Sequence, residues 1–254
     1  MENKDYLPYY SKFFKFVEVD STYYHIPSRS TVRGWKEKTP EDFKFSLKFP
    51  KIITHERKLE DVIKPLSALF YSLEPLTDKI LTLLIQLPPF LSEKRGFTSL
   101  QDMVQHLDKR FRYSLEVRHP SWFNDDVYKF LREHDMSLVW SIRDKLQSPF
   151  VITSDQIYIR FIGDRSISEK DFGKTVKDRK NEMVEYAKKV RETQNENSNI
   201  SDILIAFNNH FAGFGPQSVN DFLKLMNMSE VDWKSELEIY KNKSGQSSLS
   251  DFTK

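Results

Sequence analysis

The stretch YSLEVRHPSWFNDDVYKFLREHDMSLVWSI (113–142) contains the repeating unit on which the fold prediction depends. It begins with a β-type run, YSLEVR (113–118), and ends with another, SLVWSI (137–142). Between them, NDDVYKFLREH has helical periodicity, with Asn124 as a candidate N-cap and two aspartates where the helix dipole favours negative charge. A strand, a helix and a second strand in this order predict a right-handed β-α-β unit with parallel strands.

Five further β-type runs occur along the chain, and each is followed by a helical or turn segment. They are FKFVEVD (14–20), FKFSLKF (43–49), ILTLLIQL (80–87), QIYIRFI (156–162) and DILIAFN (202–208). Strands that alternate with helices predict an α/β fold, and we expect a TIM-type (β/α) barrel domain over residues 1–228. Seven strands are recognisable, and none lies before Phe13, so the first strand of an eight-stranded barrel is expected to be missing or replaced.

Composition excludes several classes of function. The net charge of +2 gives no basic coat for nucleic acid, and the absence of cysteine excludes disulfides and thiol nucleophiles. No G-x-G-x-x-G or Walker loop occurs among the seven glycines, so no nucleotide cofactor is expected. The longest apolar run, ILTLLIQL, is too short to span a bilayer, and MENKDYLPYYSKFF does not resemble a secretory signal. We therefore expect a cytoplasmic protein without a membrane partner.

Charged side chains occupy alternate positions in the later halves of the strands. The face opposite the apolar residues carries Glu18, Asp20, Lys48, Glu116, Arg118 and Arg160. Side chains two apart share a strand face, and active sites of α/β barrels lie at the carboxyl ends of the strands. These groups must neutralise one another or meet a ligand, because burying an unpaired ion costs several kcal/mol. A structural ion-pair network and an anion-binding active site both satisfy this requirement.

Four histidines, His25, His55, His119 and His210, follow predicted strands. Histidine and carboxylate ligands suit Zn²⁺ or Mn²⁺, but no H-x-x-x-H or H-x-E spacing supports such a centre. The sequence therefore identifies no cofactor and no metal ligands, and a divalent metal remains the weaker alternative to hydrogen-bonding histidines.

Several motifs together resemble one known family. FVEVDSTYYHIPSRSTVRGW, TPEDFKFSLKFPKIITHERKL, LIQLPPF, LEVRHPSW, YIRFIG and AFNNHFAG follow, in order and spacing, the motifs of the YecE-like domain of unknown function, over residues 6–227. The resemblance implies a TIM-type barrel and no particular reaction. It directs attention to the following positions, for which we predict roles: Asp20, Lys48, Glu116 and His119 in catalysis, and Tyr23, His55, Gln86, Arg118, Trp122, Arg160, Asn208 and Asn209 in substrate binding.

Two departures from the family pattern affect the predicted site. Family members open with a strand that ends in a Gly-Thr-Ser-Gly-Trp-like turn, and this chain has no such segment. Where the family has Asn-Ser-Thr-Phe-Tyr, this chain has Asp20-Ser21-Thr22-Tyr23-Tyr24, so a carboxylate replaces an amide. Trp122 also has the alternative role of filling the core, which is common for buried aromatic rings.

The C-terminal segment 229–254 is predicted to contain a helix over 230–240, a polar linker and a short recognition tail. In GQSSLSDFTK (245–254), Gln246, Leu249 and Phe252 follow the Q-x-x-L-x-x-F order, which resembles the PCNA-interacting peptide of sliding-clamp partners. One turn of tight helix places such residues on one side, where they can fill an apolar pocket. Thr253 replaces the second aromatic residue of that motif, so modest affinity is expected.

Three functions follow from these patterns. The first is an accessory enzyme of DNA repair or replication, a phosphodiester hydrolase held at a sliding clamp, in which Lys48, Arg118 and Arg160 receive phosphate. The second is a hydrolase or isomerase of a small phosphorylated or sugar-like metabolite, an anionic molecule bound at the same strand ends. The third is a non-catalytic scaffold bound to the clamp.

Overall fold

The computed structural model describes residues 3–143, 146–196 and 199–233. Within these ranges the chain forms eight strands and eight α-helices. The strands are β1 (Phe16–Val19), β2 (Lys44–Lys48), β3 (Ile80–Gln86), β4 (Tyr113–Glu116), β5 (Met136–Leu138), β6 (Trp140–Arg143), β7 (Gln156–Gly163) and β8 (Asp202–Phe207). The α-helices are α1 (Asn3–Tyr10), α2 (Arg29–Glu37), α3 (Ile63–Leu73), α4 (Glu93–Val104), α5 (Asp125–Glu133), α6 (Lys180–Glu196), α7 (Asn209–Ala212) and α8 (Gly215–Leu225).

The strands form two sheets. The five-stranded sheet has the order β1-β2-β3-β4-β5 with parallel pairing throughout, and the three-stranded sheet has the order β6-β7-β8. This arrangement confirms the predicted α/β class with parallel strands connected by helices. The pairings give two separate sheets among the described residues, so the closure of all strands into one TIM-type barrel stays a prediction.

One local prediction differs from the structure. The predicted strand SLVWSI is divided into β5 and β6, because the N–H of Leu138 donates to the hydroxyl of Thr153 at 2.7 Å. The same hydroxyl donates to the carbonyl of Met136 at 2.7 Å. The Thr153 side chain thus makes the backbone hydrogen bonds that a neighbouring strand would otherwise make. Before Phe13, the described residues form α1, which agrees with the absence of a predicted strand there.

The described residues divide into two compact units. The first contains the residues up to Arg160 together with 199–206. Its apolar core lies between the five-stranded sheet and its helices, and Phe45, Leu83 and Leu115 are fully buried there. The Asn124 side chain accepts the N–H of Val127 at 3.0 Å, so Asn124 is the N-cap of α5, as predicted.

The second unit contains the described residues from Phe161 to 196 and from Phe207 to 233. Its core is aromatic, with the rings of Phe161 and Phe207 stacked 4.4 Å apart. Residues on both sides of position 228, the predicted domain boundary, contact one another in this unit. Asn220 of α8 bonds both backbone groups of Val231, at 2.9 and 3.0 Å, and Trp233 packs against Phe214.

The rest of the predicted C-terminal segment, including the helix over 230–240 beyond residue 233 and the clamp-binding residues Gln246, Leu249 and Phe252, lies outside the described residues. Within the described ranges, every helix is too short or too polar to cross a membrane.

Candidate functional site

The carboxyl ends of β1 to β4 bring polar side chains to one edge of the five-stranded sheet. Strand register sets this arrangement, since Glu18 is level with Ser46 and Gln86 is level with Glu116. Lys48 is the last residue of β2, Gln86 the last of β3 and Glu116 the last of β4. The apolar residues between them, such as Leu47 and Leu115, lie on the opposite face in the core.

A network of buried polar groups connects these strand ends. We call Glu18, Gln86, Glu116, Arg118, Tyr158 and Arg160 the strand-end network. The Arg160 guanidinium lies between two carboxylates, donating from Nε to Glu18 Oε2 at 2.6 Å and from Nη1 to Glu116 Oε2. Arg118 donates from Nε to Glu116 Oε1 at 2.9 Å and from Nη2 to Oε1 of the Gln86 side chain. The hydroxyl of Tyr158 donates to Glu18.

The charge state of the network is set by competition between burial and ion pairing. Burial alone would raise the pKa of Glu116, but Arg160 and Arg118 outweigh it and hold the pKa at about 2. Burial likewise favours the neutral form of Arg160, and the two carboxylates overcome this and raise its pKa. Burial and the nearby Glu18 carboxylate raise the pKa of Tyr158, so its hydroxyl stays protonated and donates. At neutral pH Glu116 and Arg160 are therefore charged and paired, and Tyr158 is neutral.

The predicted catalytic role of Glu116 does not fit this geometry. Its side chain is 0% exposed, and both of its oxygens accept hydrogen bonds from arginines. A general base must reach the proton that it removes and must have a pKa near the working pH. The geometry gives Glu116 the role of holding Arg118 and Arg160 in place.

A second group of side chains lies beside the network and is partly open to solvent. The Lys48 ammonium is 3.4 Å from Asp20 and 4.8 Å from the centre of the Tyr23 ring. The His55 ring contacts Tyr23 edge to face at 5.0 Å, and its Nδ1 lies 2.8 Å from the hydroxyl of Thr54. We call Asp20, Tyr23, Lys48 and His55, together with Arg118, the open cluster.

Burial and neighbouring charges shift the pKa values of Lys48 and His55 in the open cluster. Burial lowers the pKa of Lys48, and Arg160 lowers it further against the opposing carboxylates. Burial, Arg118 and Lys48 together lower the pKa of His55 to about 4. His55 is therefore neutral at physiological pH, with burial as the largest cause and the two cations beside it adding to the effect.

Two predicted site residues have local structural roles. Trp122 is fully buried in the core, and its indole N–H donates to the Leu91 carbonyl at 2.8 Å. A Cβ atom on Gly96 would lie 3.0 Å from this ring, so the helix backbone approaches it closely. The predicted substrate-binding role of Trp122 is thereby replaced by the core-filling alternative. His119 accepts the N–H of Ser121 at 3.2 Å and begins a short helical turn at Pro120–Trp122.

Asn208 and Asn209 belong to the second unit and fix the backbone there. The Asn208 side chain accepts the N–H of His210 at 2.9 Å and is the N-cap of α7. Asn209 Oδ1 accepts the N–H of Gly215 at 2.8 Å. Both side chains thus have structural partners within their own unit.

The histidines that follow the predicted strands have separate surroundings in the part of the chain that the structure describes. No group of three or more His, Asp or Glu side chains in these ranges is arranged to hold an ion. His210 bonds the Ile167 carbonyl at 3.1 Å, and His25 is exposed.

The site residues predicted from the sequence do not include Glu18, Tyr158 or Tyr24. Strand alternation indicates Glu18 and Tyr158, because they share a strand face with Asp20 and Arg160. Tyr24 lies after β1 in the turn that the family motif covers. The sequence does not indicate that its ring is exposed.

Comparison with known proteins identifies the family of the chain. The family model described as "Protein of unknown function DUF72" matches residues 1–240. The UPF0759 protein YecE of Escherichia coli K12 is 32% identical over 114 residues, which is 45% of this chain and 42% of that protein. The UPF0759 protein YunF of Bacillus subtilis is 24% identical over 244 residues, which covers 86% of this chain and 86% of that protein.

Solved structures share the fold. A DUF72 family protein of Enterococcus faecalis V583 has a TM-score of 0.74 at 22% identity, covering 89% of this chain and 94% of that one. A DUF72 family protein of Thermotoga maritima MSB8 has a TM-score of 0.72 at 24% identity, covering 89% and 90%. The family model, which spans the strand-end network and the open cluster, shows that this chain belongs to the DUF72 family of YecE-like proteins.

Proposed function

We propose that this protein is an enzyme, a hydrolase or isomerase, that acts on a small anionic molecule bound at the carboxyl ends of β1 to β4. The observation that carries the proposal is the pairing pattern of the charged groups. Glu116 is 0% exposed and fully paired, whereas the side chains of Lys48 and Arg118 keep 12% and 14% of their surface exposed. The cations Lys48 and Arg118 therefore reach solvent beside the fully enclosed Glu116, and Glu18 is the network carboxylate that reaches it to a similar extent.

The two cations are already positioned for an anion. Two nitrogens of Arg118 are held by Glu116 and Gln86, which fixes the plane of the guanidinium without covering it. A guanidinium held in this way recognises phosphate or carboxylate through paired hydrogen bonds. Lys48 contacts Asp20 at 3.4 Å, and an exposed pair of this length contributes little, so a ligand anion can replace Asp20 at low cost.

Asp20 is the carboxylate that we assign to proton transfer. Its side chain is 53% exposed, in contrast to the buried carboxylates of the network. A substrate anion that displaces it from Lys48 leaves it free to accept a proton from the substrate or from water. Tyr23 and the neutral His55 are assigned to substrate contact, and Gln86, Glu116 and Arg160 to positioning.

The proposal includes the TIM-type barrel implied by the resemblance. In such barrels the carboxyl ends of the strands form the rim that carries catalytic residues. The side chains assigned here lie at that end of β1, β2, β3 and β4, which supports the proposal.

Calorimetric titration with inorganic phosphate at constant ionic strength tests the proposal. Constant ionic strength is required because salt screens exposed charges over about 10 Å at 0.1 M. Saturable binding of one phosphate per chain is expected. A signal that does not saturate would remove the basis for an anionic substrate.

A second candidate rests on the tail. Gln246, Leu249 and Phe252 have the clamp-peptide spacing, and a polar linker precedes them. They favour an accessory enzyme of DNA repair or replication, a phosphodiester hydrolase held at a PCNA-like sliding clamp. A non-catalytic scaffold is the variant of this candidate in which the strand ends take no ligand.

Titrating the full chain against a sliding clamp tests this candidate. Micromolar binding is expected, and Phe252→Ala should abolish it because the aromatic ring fills the apolar pocket. The matched control is Phe90→Ala, which removes an exposed ring elsewhere in the chain. Equal binding of both variants, or no binding by the native chain, rejects the tether and leaves the small-molecule proposal unaffected.

A further inference from the structure

Three rings form a row beside the cations of the open cluster. Tyr23 contacts His55 at 5.0 Å on one side and Tyr24 at 5.2 Å on the other, and both contacts are nearly perpendicular, at 83° and 84°. The Lys48 ammonium lies 4.8 Å from the Tyr23 ring, within the range of a cation–π contact. The row therefore begins at the proposed anion site and ends at Tyr24.

Tyr24 is held in place by its backbone while its ring is open to solvent. Its side chain is 69% exposed, although it follows a short helical turn at Ser21–Tyr23 that is well anchored. The buried hydroxyl of Thr22 donates to the Lys48 carbonyl at 2.7 Å and lies 3.0 Å from the Val19 carbonyl, which ties this turn to the end of β2. A large ring displayed on a rigid turn is preorganised for contact with a ligand.

The polar groups of the site are poorly suited to a ligand rich in hydroxyl groups. Carboxylate and amide oxygens that could accept from several sugar hydroxyls are engaged here, because those of Glu18, Glu116 and Gln86 already bond arginines. What the site offers at its surface is two cations, one exposed carboxylate and the row of rings. This combination favours a flat ring joined to an anion.

Resting on the proposed function, we propose that the ligand is a nucleoside monophosphate or a close analogue. Its aromatic ring stacks on Tyr24, and its phosphate contacts Lys48 and Arg118. The Lys48 ammonium lies 4.8 Å from the Tyr23 ring, and the Tyr23 ring lies 5.2 Å from the Tyr24 ring. The ammonium and the Tyr24 ring are therefore no farther apart than the phosphate and the base of one nucleotide can be. Recognition of this kind needs neither a glycine-rich phosphate loop nor a dinucleotide-binding fold.

The test compares AMP, ribose 5-phosphate and inorganic phosphate by calorimetry on the full chain. Stacking of a base on an aromatic side chain predicts that AMP binds about fivefold tighter than ribose 5-phosphate, or more. Tyr24→Ala should remove this preference and leave the affinity for ribose 5-phosphate unchanged. The matched control is Tyr71→Ala, since Tyr71 is also 69% exposed but contacts Arg29 instead.

The outcomes separate this inference from the proposed function. Equal binding of AMP and ribose 5-phosphate, or full retention of the AMP preference in Tyr24→Ala, overturns the stacking inference while the anion site stands. Failure of all three probes to bind overturns both. A preference for AMP that Tyr24→Ala abolishes but Tyr71→Ala preserves supports the inference.

Discussion

Arg160→Met is expected to lower the free energy of unfolding by about 3–5 kcal/mol, the range for removing one partner of a buried ion pair. Arg160 is the cation between Glu18 and Glu116, and its side chain is only 7% exposed. Methionine has a similar length and no charge, so the substitution leaves two carboxylates facing each other with Arg118 as the remaining cation of the network. Urea unfolding at pH 7 measures the change.

Arg110→Met is the control for this substitution. Arg110 pairs with Asp108 at 2.6 Å on the surface, where an ion pair contributes about 0–1 kcal/mol. The cost of Arg160→Met should also shrink as the pH falls. The pKa of Glu116 is depressed to about 2 in the native protein, so its stabilising contribution is present above the unfolded value and lost as the pH falls through 2. A loss below 1 kcal/mol for Arg160→Met at pH 7 would contradict the account of the network.

Lys48→Met is expected to weaken phosphate binding by about 10- to 150-fold, which corresponds to the loss of one hydrogen bond to a charged group. Lys48 contributes the ammonium of the open cluster and is not part of the buried network. Calorimetric titration with phosphate measures the affinity, and the melting temperature verifies that the variant folds.

Lys44→Met is the matched control because Lys44 begins the strand that Lys48 ends. Its ammonium donates to the Asp78 carbonyl at 2.9 Å, away from the carboxyl end of β2. Lys44→Met should leave the phosphate affinity within twofold of the native value, twofold being about 0.4 kcal/mol. Equal losses in the two variants would show that phosphate responds to overall charge and not to the site.

Strand positions and strand faces were predictable from the sequence. Alternation of polar and apolar residues placed Glu116, Arg118 and Arg160 on one side of their strands, and the structure brings all three together. The strand faces were predictable because successive side chains of a strand point to opposite faces, and this alternation does not depend on which strands lie beside it. The family was predictable for a similar reason, since its motifs follow these strand ends in a fixed order.

Properties that depend on three-dimensional neighbours were not predictable. The saturation of Glu116 by two arginines and the burial of Trp122 arise from contacts between residues far apart in the chain. Lys79 is a further example, because a lysine in sequence is expected to be exposed. Its ammonium is buried and donates to the carbonyls of Lys36, Thr39 and Pro40 at 2.7–3.1 Å, which closes the segment after α2.

The titration of His55 followed by NMR tests the anion site most directly. In the free protein its pKa is expected at about 4, because burial, Arg118 and Lys48 disfavour the imidazolium. Bound phosphate cancels the field of the two cations, so the pKa of His55 should rise when phosphate is added, while the signals of the exposed His25 and His106 stay in place. An unchanged His55 pKa at saturating phosphate, or equal shifts at all three histidines, would contradict the assignment of this site.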